Sequence, residues 1–235
     1  MTMNLKLKAI FVDIDNTLLS FDEYVRQTMK NGFAHFRLKP YEPYMYDIFE
    51  KENNALWRKI EQGVLTFPEL EKIRWNLVFE KLGIEFDGLI FERYFREALH
   101  ESAIQEPGAH EMLAYLKKKY ILCVASNGPY EQQVHRLELA DMRKYFDYIF
   151  VSEKIGVSKP ATAFFEKAFE ELNDGRIEKI SPDQTMMIGD SLSSDMAGGL
   201  QYGMKTCYYR RNPQVSVLEE IDFVIDHLDQ VSQYC

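Results

Sequence analysis

The chain has 235 residues, enough for one large domain or one domain carrying an insert, and 46% of them are hydrophobic, so a core can be buried without staples. With 28 Lys and Arg against 37 Asp and Glu the net charge is −9, which disfavours a protein that binds the phosphate backbone of nucleic acid polymers. Cys123, Cys207 and Cys235 are odd in number and far apart, which suits free thiols in a reducing compartment, and no C-x-x-C or His/Cys cluster suggests zinc.

The N-terminal residues 1–8 lack a signal-peptide layout, because the apolar run that follows reaches Asp13 too soon for a cleavage site. No window approaches the roughly 18 unbroken apolar residues of a membrane span. A cytoplasmic location is therefore expected by elimination.

Ala9-Ile10-Phe11-Val12 is too short for a helix and apolar enough for a buried strand. It runs into Asp13-Ile14-Asp15-Asn16-Thr17. Two acids at such a strand end can hold a divalent cation, attack an electrophile or move a proton. They can also simply form a turn. Asp13 and Asp15 share a face while the chain stays extended, and Asp15 swings away once it leaves the pleat.

From there the pattern turns helical. Ser20 and Glu23 have capping-box spacing, and Tyr24, Met29, Phe33 and Phe36 make an apolar stripe. Pro40 and Pro43 interrupt it; a second helix is expected over 44–62, ended by Gly63. Thr66-Phe67-Pro68-Glu69 is another capping box and opens a helix that runs to Gly83. A fourth helix is expected over 88–100. No strand-like alternation occurs across 18–105, which reads as an all-helical insert of roughly 85 residues, domain-sized in itself.

At Glu106-Pro107-Gly108 the texture changes to alternating strands and helices, the signature of an α/β domain with a parallel sheet. Helices are expected over 109–119, 130–139 and from Ser158-Lys159-Pro160 to Leu172, with a short one after Asp195. Strands are expected over 120–125, 148–151, 185–188, 206–209 and 223–225. The first strand belongs with this half, so residues 1–17 and 106–235 form one α/β core that 18–105 interrupt.

Four polar clusters follow the core strands: Asp13/Asp15/Thr17, Ser126/Asn127, Lys159 and Asp190/Asp195. In a parallel sheet those ends share one edge, so the clusters can converge. The acids offer hard oxygen ligands suited to Mg²⁺. Ser126, the amides near it and Lys159 suit a phosphoryl group, with Lys159 read as opening a helix whose N-terminus favours an anion. Singly, each has a plainer reading: Lys159 as a solvated surface lysine, Ser126 as a turn former, Asp195 as an N-cap.

Asp13-Ile14-Asp15-Asn16-Thr17, Ser126-Asn127, Lys159-Pro160 and Gly189-Asp190-Ser191-Leu192-Ser193-Ser194-Asp195, in that order and spacing, resemble motifs I to IV of the haloacid dehalogenase-like hydrolases. The resemblance covers essentially the whole chain and implies a Rossmann-like doubly wound core with a helical type-1 cap over 18–105. It implies that Asp13 is the nucleophile and Asp15 the general acid and then base. It implies phosphate binding by Thr17, Ser126, Asn127 and Lys159. It implies Mg²⁺ held by Asp13, the Asp15 carbonyl and Asp190, with Asp195 as a ligand or one layer behind.

Asp15 argues for phosphate chemistry, since the dehalogenating branch usually lacks an acid there. Asn16 stands where the family often has Gly. The residues around motifs I and IV look most like the pyrimidine 5′-nucleotidase branch. That implies a nucleoside monophosphate or another small phosphorylated metabolite as substrate, no nucleic acid polymer, no membrane, and a monomer or homodimer. A sugar-phosphate or phosphoglycolate phosphatase, a phosphomutase and a non-catalytic phospho-receiver are the alternatives. Tyr44, Tyr46, Trp57, Phe67 and Trp75 could stack on a base, but aromatics at helical spacing are more often helical core. The five histidines match no motif.

Overall fold

Six short segments can each satisfy their backbone only against one another, and in the computed structural model, which describes residues 6–235, they do so in a single sheet. The N-terminal reading made above falls partly on residues 1–5, outside that range. The strands are β1 Ala9–Val12, β2 Ile121–Ser126, β3 Tyr148–Val151, β4 Thr185–Gly189, β5 Lys205–Tyr209 and β6 Phe223–Ile225. All pairs are parallel and the order is β3-β2-β1-β4-β5-β6. The order reverses at β1, so the crevice outside the carboxyl ends of β1 and β4 is the topological switch point where such sheets bind ligands.

The register shows why the strands read as continuous apolar runs. Phe11 pairs with Cys123 on one side and Met187 on the other. Val12 likewise pairs with Val124 and Ile188. All six are fully buried, so both faces of the sheet are covered, as parallel sheets require. On one face Phe11 stacks with Phe150 at 5.8 Å and Phe169 at 5.4 Å between ring centroids. Cys123 and Cys207 are buried free thiols, pushed up from the ordinary thiol value by burial.

The helices are α1 Phe21–His35, α2 Tyr44–Glu61, α3 Phe67–Leu82, α4 Gly88–His100, α5 Ala109–Leu116, α6 Tyr130–Leu139, α7 Ser152–Ile155, α8 Thr162–Leu172 and α9 Ala197–Tyr202. Three differ from expectation. The helix expected over 109–119 stops at Leu116. α8 begins at Thr162, so Lys159 lies in the loop before it and does not open it. The turn of α7 was not foreseen, being only four residues long. Among the described residues no helix is long and apolar enough to cross a membrane.

The chain divides into two compact units: one holds the chain up to Ser20 and Gln105–Cys235, the other Phe21–Ile104. The α/β unit closes at the insertion point, where the Glu106 N–H donates to the Leu18 carbonyl at 2.9 Å and Leu19 bridges Gln105.

Within the helical unit, Glu69 accepts hydrogen bonds from the Thr66 N–H and hydroxyl at 2.8 and 2.7 Å, the reciprocal cap expected for α3. Gly83 ends that helix in the left-handed region at φ 62°. Gly88 lets α4 start against α3, since a Cβ there would lie 2.4 Å from the Asn76 nitrogen. Phe33, Phe49, Trp75, Phe79, Phe91 and Phe95 form the core, so Trp75 and the buried Tyr46 are core residues rather than stacking surfaces. Tyr44 is exposed, and Trp57 and Phe67 are half-buried against each other.

One ion pair sits inside this aromatic core. Arg74 donates to both oxygens of Glu92 at 2.5 and 3.1 Å and to Asn53 at 3.2 Å. Both charged side chains are about 5% exposed or less. Removing one partner of such a pair strands the other charge, which costs about 3–5 kcal/mol, whereas replacing both with apolar residues is close to neutral. Glu92→Ala should therefore destabilise the helical unit by that amount, and Arg74→Met with Glu92→Leu should restore most of it. Both tryptophans lie in this unit, so denaturant unfolding followed by tryptophan fluorescence reads it directly.

Candidate active site

The first strand ends where its side chains change from apolar to acidic. The Asp13 N–H still donates to the Ile188 carbonyl of β4 at 3.0 Å, after which the chain leaves the sheet. The Ile14 carbonyl then accepts from the N–H groups of Thr17, Leu18 and Leu19 at 3.2, 2.8 and 2.9 Å, which folds the segment into a tight turn. Asn16 takes the left-handed conformation at φ 58°, a region open to Gly and, among side-chain-bearing residues, favoured by Asn. The turn sends the two acids to different partners.

Asp13 faces Lys159. The ammonium donates to Asp13 Oδ1 at 2.8 Å, to Asp195 Oδ1 at 2.5 Å and to the Ala125 carbonyl, so its three donors meet three acceptors. Lys159 is 1% exposed, which excludes the surface-lysine reading. Burial works against its charge, but Asp13 and Asp195 outweigh burial and its pKa is pushed up. Burial also raises Asp13 well above the ordinary carboxylate value; Lys159 offsets part of this and Asp195 adds to it. Three carboxylates, Asp13, Asp190 and Asp195, gather around this one ammonium, so the cluster is short of positive charge.

Asn127 holds Lys159 in place. Its amide donates to the Lys159 carbonyl at 3.0 Å and accepts from the Lys159 N–H at 2.9 Å. The side chain expected to bind a phosphoryl group is thus engaged with backbone. Ser126, the last residue of β2, is 1% exposed and aligned with that edge. Thr17 is fully buried, and its hydroxyl has no hydrogen-bond partner among the described residues.

β4 delivers the remaining acids. After Gly189 the chain enters a π-helical turn, Leu192–Met196, in which Ser191 caps by accepting from the Ser194 N–H at 3.1 Å. Asp195 therefore sits inside the turn and is not its N-cap, as one plainer reading had it. Its Oδ2 accepts from the Ser191 N–H at 3.1 Å while Oδ1 takes Lys159. The carboxylate lies so close to β4 that a Cβ on Gly189 would be 2.1 Å from Oδ2, so only glycine fits. Asp13, Asp190 and Asp195 each offer an oxygen, all within 4.8 Å of one another. An all-oxygen set of this kind, on a site short of positive charge, fits a hard divalent cation.

Asp15 turns to α6. Arg136 Nη1 donates to Asp15 Oδ1 at 2.7 Å, and Gln133 Nε2 donates to Asp15 Oδ2 at 2.9 Å. Gln133 Nε2 also donates to Ser126 Oγ at 2.9 Å. Neither Gln133 nor Arg136 belongs to a motif read from the sequence. The only hint there is that a polar pair three residues apart lies on the helix after β2.

A family model described as haloacid dehalogenase-like hydrolase matches residues 7–203. The HAD-hydrolase YfnB of Bacillus subtilis is 30% identical over 92% of this chain and 89% of its own. Its crystal structure bound to magnesium superposes with a TM-score of 0.84 over 96% of each chain, at 28% identity. The pyrimidine 5′-nucleotidase PynA of Streptococcus pneumoniae is 30% identical over 86% of this chain and 83% of its own. The pyrimidine 5′-nucleotidase YjjG of Escherichia coli is 28% identical over 93% and 97%. With an acid-ended central strand, a parallel sheet that reverses order there and a matched model over most of its length, the chain belongs to the haloacid dehalogenase-like hydrolases and is an enzyme of that family.

Proposed function

We propose that this hydrolase is a Mg²⁺-dependent phosphomonoesterase that works through an aspartyl-phosphate on Asp13, with nucleoside 5′-monophosphates, pyrimidine ones first, as its substrates. The observation that carries the chemistry is the buried Asp13 carboxylate at the switch point, with the Lys159 ammonium on one oxygen and Asp190 and Asp195 beside it. That arrangement suits a nucleophile whose target carries negative charge, because the surrounding charge is fixed before the substrate arrives. The pyrimidine nucleotide preference is supported by the names and identities of PynA and YjjG.

Mg²⁺ would be held by Asp13, Asp190 and the Asp15 carbonyl. Asp195, with both oxygens engaged by Lys159 and the Ser191 N–H, would act behind them as the group that holds Lys159. When bound, the ion neutralises charge on the phosphoryl oxygens and on the acids. In the first half-reaction an Asp13 oxygen attacks phosphorus, the ester P–O bond breaks, and Asp15 gives its proton to the leaving oxygen. In the second, water attacks the phosphoryl group and gives its proton to Asp15. The bond to Asp13 breaks, releasing phosphate and restoring both carboxyl groups. Ser126 would bind the phosphoryl group through its hydroxyl, and the Asn127 side chain contributes by fixing Lys159. Thr17, buried with an unpartnered hydroxyl, supports the turn that carries both acids.

Phosphate release measured across nucleoside monophosphates, sugar phosphates and phosphoglycolate tests this. Release from dUMP, dTMP or UMP should dominate, vanish on chelation of Mg²⁺, and fall by at least about 10⁴-fold in Asp13→Asn, the range known for loss of an enzyme nucleophile. Undiminished turnover by Asp13→Asn would refute the nucleophile. Preference for a sugar phosphate would keep the mechanism and discard the nucleotide. Gly189→Ala should cost about 100-fold in kcat and destabilise the α/β unit by about 1–3 kcal/mol in denaturant unfolding, because the added methyl has no room and must displace Asp195 and with it Lys159.

A further inference from the structure

We propose that Gln133 and Arg136, one turn apart on α6, are positioning residues that hold the Asp15 carboxylate in register with the transferring phosphoryl group. The inference rests on the reading of Asp15 as proton donor and extends it to residues outside every motif.

The geometry is a closed relay. Arg136 Nη1 donates to Asp15 Oδ1 at 2.7 Å and to Gln133 Oε1 at 2.9 Å. With its oxygen committed to Arg136, Gln133 must present its NH₂ to the other side, so the amide orientation is fixed by the network. There it donates to both Asp15 Oδ2 and Ser126 Oγ, each at 2.9 Å. Ser126 Oγ, accepting from Gln133, keeps its own hydrogen to donate. The group read as binding the phosphoryl oxygens and the group read as protonating the leaving oxygen are thus joined through one amide nitrogen.

Asp15 needs such a device. It stands in a turn outside the sheet, next to a left-handed residue, and its side chain is 31% exposed. A carboxylate so placed has several staggered rotamers open to it. Gln133 and Arg136 are each only 1% exposed, so their own rotamers are locked by packing. Fully burying an arginine and a glutamine is costly unless their donors are used, and here both serve the same carboxylate.

A positioning role for an acid has a signature that a purely structural role lacks. In the first half-reaction the Asp13–phosphorus bond forms and the P–O ester bond breaks, while the Asp15 proton passes to the leaving oxygen. 4-Nitrophenolate departs without needing that proton, whereas phenolate gains from it. The test follows leaving-group release in a single turnover from phenyl phosphate and from 4-nitrophenyl phosphate, with Mg²⁺ and enzyme in excess. The variants are Gln133→Met, which keeps the side-chain length, and Arg136→Lys, which keeps the charge.

Release of phenol should slow about 10- to 100-fold in both variants, as expected for a misplaced general acid. Release of 4-nitrophenolate should change by less than about threefold in Arg136→Lys, with half-saturating ester concentrations unchanged, and should slow by at least about tenfold less than release of phenol in Gln133→Met, which also frees Ser126 Oγ. Equal losses on the two esters, or no loss on either, would overturn the positioning role while leaving the phosphatase reading intact. Failure of the unaltered enzyme to release either group would overturn that reading and this inference together. Thermal melts separate misfolding from misplacement, and should Arg136→Lys unfold, Gln133→Met decides the matter alone.

Discussion

A single buried ammonium organises the α/β unit's working edge. Lys159 reaches from the loop before α8 into the carboxyl end of the sheet and ties together Asp13 after β1, the Ala125 carbonyl in β2 and Asp195 after β4. Three strands that are neighbours by hydrogen bonding are thereby also joined at their ends by charge. Burying one cation against two carboxylates is costly in desolvation and is sustained only when each donor is used. Here Asn127 fixes the lysine's backbone from both sides, and Gly189 clears the space that Asp195 occupies. The two upward shifts have different causes: burial raises Asp13, whereas Asp13 and Asp195 raise Lys159 against burial. Three carboxylates, Asp13, Asp190 and Asp195, share this one ammonium, which leaves a local excess of negative charge. A cation at the oxygens of Asp13 and Asp190 would relieve that excess.

The parts of this arrangement that were legible in the sequence are those with local causes. Ala9–Val12 is a buried strand because its neighbours in register, residues 121–124 and 185–188, are equally apolar, and each run announces itself. The α3 cap reads directly from Thr66 and Glu69 because both partners lie within one turn. Strand ends carry the polar clusters because a parallel sheet puts all its carboxyl ends on one edge.

What was not legible depends on distance or on a small change of helical pitch. Lys159 was expected at a helix N-terminus, yet Ala161 keeps an extended backbone and α8 starts only at Thr162. Asp195 looked like a cap because it precedes a helical run. The π-helical turn admits one more residue per turn, moves the cap back to Ser191 and aims the carboxylate inward, a distortion often found where function needs a side chain re-aimed. Gln133 and Arg136 meet Asp15 across 118 and 121 residues, and no spacing rule within one segment can signal such a partner.

The separation of the two acids has a chemical consequence. Asp13 and Asp15 are only two apart in the chain, and on a continued strand they would share one environment. Two carboxylates in one environment compete for one proton and cannot be told apart by chemistry. The turn built on the Ile14 carbonyl, with Asn16 in the left-handed region, breaks that equivalence. Asp13 is buried and bonded to an ammonium, whereas Asp15 is partly exposed and held from the opposite side by a guanidinium and an amide. One fixed near-neighbour pair thereby becomes two distinct groups, the condition under which one acid can attack phosphorus while the other carries the proton. Backbone geometry at a single residue, Asn16, is what makes the division possible, which is why a family position often filled by Gly accepts Asn here.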